Sequence, residues 1–146
     1  MTPDIFAQQD TRISTLPSKK VLLVDEEAGD LKILRLTLEG QGFEVFACTS
    51  FEAGMRCLDA ETFDFVVVSQ GTQAFEGRDV VDRALQLNRH RPVLVLTRCV
   101  SMRCYLEAMQ MGAIDYLEKP IPPLDLLRFV QAHTSCAELL FRGTAV

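Results

Sequence analysis

Five short apolar runs punctuate the chain, and each breaks off into polar residues. Val21-Leu22-Leu23-Val24 stops at Asp25-Glu26-Glu27, and Phe65-Val66-Val67-Val68 stops at Ser69-Gln70-Gly71. Val93 to Leu96 runs into Thr97-Arg98, while Phe43 to Ala47 and Ala113 to Glu118 supply two more runs, the latter closed by Lys119-Pro120. Runs of this length, rich in β-branched and aromatic residues, read as strands, and the central one reads as buried on both faces.

The segments between them carry helical spacing. Leu31, Leu34 and Leu38 fall on one face of a helix from about Gly29 to Glu39, stopped by Gly40 and Gly42. Thr49-Ser50 offers an N-cap for a helix from Phe51 to Leu58. Arg78 to Leu87 forms a third, with Val80, Val81, Ala84 and Leu87 inward. Ser101 to Met111 forms a fourth, with Leu106 and Met109 inward and Gly112 at its end. Pro122-Pro123 opens a last helix that runs to about Leu140. The loop from Gln70 to Gly77 is small and polar.

Strands alternating with helices across short connections imply an α/β domain: a parallel sheet covered on both faces. In open sheets of this kind, chemistry sits beyond the carboxyl ends of the strands. The residues there are Asp25 and Glu26, Ser69, Thr97 and Lys119. Adjacent carboxylates repel unless a cation compensates, and either Lys119 or a hard divalent ion such as Mg²⁺ could do so.

Composition narrows the function. Of 146 residues, 48% are hydrophobic, as expected of one globular domain. The net charge of -5 argues against general nucleic-acid binding. No apolar run approaches the about 20 residues that span a bilayer, and Met1 to Gln9 lacks a signal-peptide pattern. The expectation is a cytoplasmic protein. Five cysteines, Cys48, Cys57, Cys99, Cys104 and Cys136, show no CxxC spacing and read as small buried hydrophobes. Met1 to Ser18 reads as a flexible extension, 19–140 as the domain and 141–146 as a tail with no output domain.

At this point the chain resembles a response-regulator receiver domain of two-component signalling, over roughly Lys19 to Cys136. The resemblance rests on Val21 to Glu27, Gly42-Phe43-Glu44-Val45, Pro92 to Thr97 and Gly112 to Pro120, with matching spacings between them. It implies a flavodoxin-like (βα)5 doubly wound fold, with a five-stranded parallel sheet in the order 2-1-3-4-5. It also implies an acidic pocket of Asp25 and Glu26 for Mg²⁺, with the Gly71 carbonyl as a further ligand. Thr97 and Lys119 become phosphoryl-contact positions, Tyr116 the switch aromatic, and the bond after Lys119 cis. The implied partner is a sensor histidine kinase or another signalling protein.

The phosphoacceptor position falls on Ser69, five residues after Asp64 and eight before Gly77, where the family carries Asp. A serine hydroxyl needs a neighbouring base to act as a nucleophile, and His90 and His133 are not placed to serve. Losing that carboxylate should weaken Mg²⁺, so no cofactor is required. Arg98 stands where the family has a small residue, and Gln73 where it has Pro. The resulting expectation is a receiver that acts through protein contact without phosphorylation. Its partner face would be Tyr116 and the helix-four to strand-five surface, with Met102, Tyr105, Met109 and Met111. The alternative is a working receiver modified at Ser69 or at a carboxylate such as Glu76. Ser69 lacks a G-x-S-x-G elbow, and no G-x-G-x-x-G or P-loop is present, which argues against a hydrolase or a nucleotide-binding protein.

Overall fold

The computed structural model describes residues 18–134. The expected N-terminal extension up to residue 17, the expected run of the last helix from residue 135 to Leu140, Cys136 and the tail lie outside the described residues. Strands β1 (Lys20–Val24), β2 (Glu44–Cys48), β3 (Phe65–Ser69), β4 (Val93–Thr97) and β5 (Asp115–Glu118) alternate with helices α1 (Ala28–Glu39), α2 (Phe51–Ala60), α3 (Arg78–Leu87), α4 (Met102–Met111) and α5 (Pro123–Thr134). The strands form one sheet in the order β2-β1-β3-β4-β5, and every pairing is parallel.

Strand periodicity sorts the core into two layers. Leu22, Val24, Val66, Val68, Val93 and Val95 face α2, α3 and α4, where they meet Leu58, Val80, Val81, Ala84, Cys104 and Ala108. Their neighbours Val21, Leu23, Phe65, Val67, Leu94 and Leu96 face α1 and α5, against Leu31, Leu34, Leu38, Leu126 and Val130. The three inner strands are therefore apolar at almost every position, while the edge strands β2 and β5 are only partly buried along most of their length. Each such buried aliphatic side chain contributes about 1.5–3 kcal/mol.

Two inward faces differ from the sequence expectation. On α3 the fourth buried residue is Leu85, and Leu87, the last residue of the helix, is exposed. On α4 the buried face is Cys104 and Ala108, while Leu106 is exposed and Met109 only partly buried. Leu106 lies about 200° around the helix from Cys104, so a face that buries one turns the other to solvent.

The loop from β3 to α3 is anchored rather than simply solvated. Phe75 inserts into the core, with a left-handed φ of 59° that its burial holds in place. At its end, Gly77 donates its amide to the Gln70 carbonyl at 3.1 Å. A Cβ on Gly77 would lie 2.1 Å from the Ser69 carbonyl oxygen. The chain there allows no side chain because α3 starts directly against the end of β3. Gly77→Ala is expected to cost about 1–3 kcal/mol by displacing that backbone, read as a lower midpoint in urea unfolding. An unchanged midpoint would show that the loop yields freely.

Candidate functional site

Strand register brings the candidate residues to one edge. Val24 pairs with Val68, which sets Asp25 level with Ser69; Ser69 pairs with Leu96, and Thr97 pairs with Glu118. Lys119 follows immediately and donates its amide to the Thr97 carbonyl at 2.7 Å. The peptide bond from Lys119 to Pro120 is cis.

Lys119 is buried, and three carboxylates surround its ammonium. Its Nζ donates to Asp25 Oδ2 at 2.5 Å, Glu27 Oε1 at 2.7 Å and Asp30 Oδ2 at 3.3 Å. Burial works against the charged lysine, but its hydrogen bonds to Asp25 and Glu27 and the charge of Asp25 outweigh it. Its pKa is raised. Asp25 is itself buried; its second oxygen accepts the Glu27 amide at 3.0 Å, and its own amide donates to the Cys48 carbonyl at 3.0 Å.

Glu27 and Asp30 come from the start of α1, where negative charge is favourable to the helix dipole. Glu27 is the N-cap residue but its carboxylate caps nothing, which leaves it available to the cations. Arg98, at the end of β4, spans to the same helix: its Nε reaches both Glu27 oxygens at 2.7 and 2.8 Å, and Nη2 reaches Asp30 at 2.9 Å. Arg98 thus lies across the acidic cluster, neither folded into the strand ends nor free in water. The acidic residues gathered here are Asp25, Glu27 and Asp30. Glu26, expected beside Asp25, is exposed and outside this ion-pair network, because the chain turns into α1 between residues 25 and 28.

The hydroxyl residues are engaged locally. Ser69 Oγ accepts the Gly71 amide at 3.2 Å, and Thr97 Oγ1 accepts the Cys99 amide at 2.8 Å. It is the amide of Gly71, at φ 84°, that reaches Ser69. Glu76 is bound by Thr72, whose amide and hydroxyl both donate to it, at 2.7 Å and 2.8 Å respectively; the hydroxyl contact holds its pKa below the usual carboxylate range. His90 and His133 line a cavity with Asp64 and Pro92 at the amino ends of the strands, opposite Ser69.

Gln70 was not singled out in the sequence, yet it is completely buried. Its amide nitrogen donates to the Thr72 carbonyl at 3.1 Å and the Cys99 carbonyl at 3.0 Å, tying together the loops after β3 and β4. Its amide oxygen accepts from the Tyr116 hydroxyl, which also accepts the Ser101 amide at 3.1 Å. Tyr116 is consequently buried, with Tyr105 edge-on to its ring at 5.6 Å. Only its place after a strand could have marked Gln70, since glutamine is usually exposed.

The oxygens of Asp25, Glu27 and Asp30 lie within 4.8 Å of one another, a donor set of the kind that holds a hard divalent ion. Lys119 already lies within 3.3 Å of an oxygen of each. The residues fit such an ion only once the ammonium moves away.

The family model described as the response regulator receiver domain matches residues 21–131. Response regulator protein FleR of Pseudomonas aeruginosa is 33% identical over 114 residues, which cover 78% of this chain and 24% of that protein. Transcriptional regulatory protein GlrR of Escherichia coli is 31% identical over 101 residues, covering 69% of the chain and 23% of that protein. The chain therefore spans about a quarter of the length of these relatives. A response regulator receiver domain from Clostridium thermocellum superposes with a TM-score of 0.72 at 27% identity, covering 84% of this chain and 98% of that one. A CheY-like receiver domain protein from Methanospirillum hungatei has the same fold, with a TM-score of 0.74 at 24% identity over 79% of this chain and 92% of that one.

Two outcomes follow from the ion cluster. Lys119→Met leaves buried Asp25 facing two further carboxylates and is expected to cost about 3–5 kcal/mol in urea unfolding. Millimolar Mg²⁺ should restore part of that loss in the variant and leave the wild type nearly unchanged; equal responses would overturn this account of the cluster. Hydrogen bonds from Lys119, then Arg98, hold the Glu27 carboxyl below its usual range. A depressed folded pKa contributes stability that is present above the unfolded value, about 4.3, and lost as pH falls through the folded one. The urea midpoint should therefore drop on acidification below about pH 4, and drop less in Glu27→Gln.

Proposed function

The chain belongs to the response regulator receiver domain family, matched across residues 21–131, and on that premise we propose that it signals by protein–protein contact without phosphorylation of its central strand. The observation that carries this reading is residue 69. Ser69 occupies the carboxyl end of β3, where the family's nucleophilic carboxylate belongs, and its hydroxyl is bonded to the Gly71 amide. Among the described residues, neither histidine lies at this edge to take its proton. The reading is supported by a pocket already neutralised from within, with Lys119 and Arg98 bound to Asp25, Glu27 and Asp30. Mg²⁺ binds weakly at best, because it competes with a buried ammonium.

The surface that would meet a partner, a sensor kinase or another signalling protein, runs along α4 to β5. Val100, Met102, Tyr105 and Leu106 are exposed there, with Met102 at 70%. Met109 and Met111 are partly buried and pack against the core. Tyr116, which would shape this face, is held inward by Gln70 and Ser101. The match to response regulators suits a module that meets other signalling proteins; no helix among the described residues is long and apolar enough to cross a membrane.

Incubation with an acyl phosphate donor and Mg²⁺ should leave the intact mass unchanged. A stoichiometric phosphoryl adduct that disappears in Ser69→Ala would overturn the proposal, as would one mapped to Glu76.

A further inference from the structure

Two cysteines, nine positions apart, meet at the edge of the domain beside the acidic cluster. Cys48 is the last residue of β2, and Cys57 lies in α2, the helix that follows. Their sulfurs are 3.4 Å apart, in direct thiol contact. A disulfide needs about 2.05 Å, so the sulfurs must approach by about 1.4 Å to bond. The two differ in access: Cys48 is buried, and Cys57 is half-buried. Burial, followed by the hydrogen bond with Cys57, pushes the Cys48 thiol up to about 12, so Cys57, the more accessible of the two, is the thiol that meets a solute first. Cys104 has different surroundings: its thiol donates to the Gln73 carbonyl at 3.4 Å.

We propose that Cys48 and Cys57 form a reversible oxidation site, in which Cys57 meets a hydroperoxide and Cys48 resolves the product to a disulfide. The Cys57 sulfur attacks the terminal peroxide oxygen, the O–O bond breaks, and Cys57 sulfenic acid and an alcohol (water, from hydrogen peroxide) are formed. The Cys48 sulfur then attacks the Cys57 sulfur; the S–O bond breaks and water leaves with the Cys48 proton. Both thiols are oxidised and one peroxide is reduced. A dithiol reductant reverses the step.

The site is joined to the acidic cluster by backbone. The Cys48 carbonyl accepts the Asp25 amide at 3.0 Å. Further along α2, a Cβ on Gly54 would lie 2.7 Å from Val24 Cγ2, so α2 sits directly on the end of β1. A bond from Cys57 to Cys48 would clamp α2 to the strand end that supports Asp25.

The test uses the full chain, treated with stoichiometric hydrogen peroxide, alkylated and analysed by intact mass and non-reducing digestion. The expected result is loss of two hydrogens, a Cys48–Cys57 linked peptide, and recovery of both thiols with dithiothreitol. Cys57→Ser should abolish the linkage and leave Cys48 unoxidised. Cys48→Ser should leave a sulfenic acid on Cys57 that dimedone traps. A variant with Cys99, Cys104 and Cys136 all replaced by Ser should form the linkage as the wild type does. Stable oxygen adducts on Cys57 without linkage in the wild type, or a disulfide to any other cysteine, would overturn the proposal.

Discussion

The site depends on one ammonium group. Lys119 is buried at the end of β5, and placing its charge there is unfavourable unless the surroundings compensate. Asp25, from the end of β1, and Glu27 and Asp30, from the start of α1, supply that compensation. Conversely, three carboxylates with oxygens within 4.8 Å of one another could not remain ionised together without a cation between them. Each half requires the other. The arrangement joins an edge strand to the interior of the sheet across two intervening strands, and Arg98 adds a bridge from β4.

A second constraint works on the loops. Gln70 has no water to bond to, so its amide must be satisfied by protein. It spends its donor on the loops after β3 and β4 and its acceptor on Tyr116. The result is a connected polar network among otherwise apolar packing, in which the position of an aromatic side chain follows from that of a glutamine 46 residues earlier. Together the two networks describe a strand edge at which Lys119, Arg98, Asp25, Glu27 and Asp30 are paired with one another and the Ser69 and Thr97 hydroxyls accept backbone amides.

Much of this architecture was legible in the chain. The strands and their polar ends follow from local periodicity, and α3 and β4 have the bounds expected of them. Helix faces were read less well. Hydrophobicity puts Leu106 and Met109 inward on α4, yet Cys104 and Ala108 are the buried pair. Where a helix lies close to a sheet, small side chains take the inner face and larger ones are turned out; hydrophobicity alone ranks them the other way. At the end of α3, Leu85 and Leu87 were equally apolar choices, and only the place where the helix leaves the sheet separates them.

The sequence by itself determined the alternation of strands and helices, the parallel sheet, and the set of residues delivered to its carboxyl edge. These depend on neighbours a few positions apart, whose hydrophobic periods are written along the chain. It also determined that a hydroxyl, not a carboxylate, ends the central strand. Which acids surround Lys119 was settled only in three dimensions. Asp25 is 94 residues away from it in the chain, and the choice of Glu27 and Asp30 over Glu26 depends on how α1 turns its first residues. The burial of Gln70 and the meeting of Cys48 with Cys57 belong to the same class. A side chain's partners are set by packing between distant segments, and no local pattern records them.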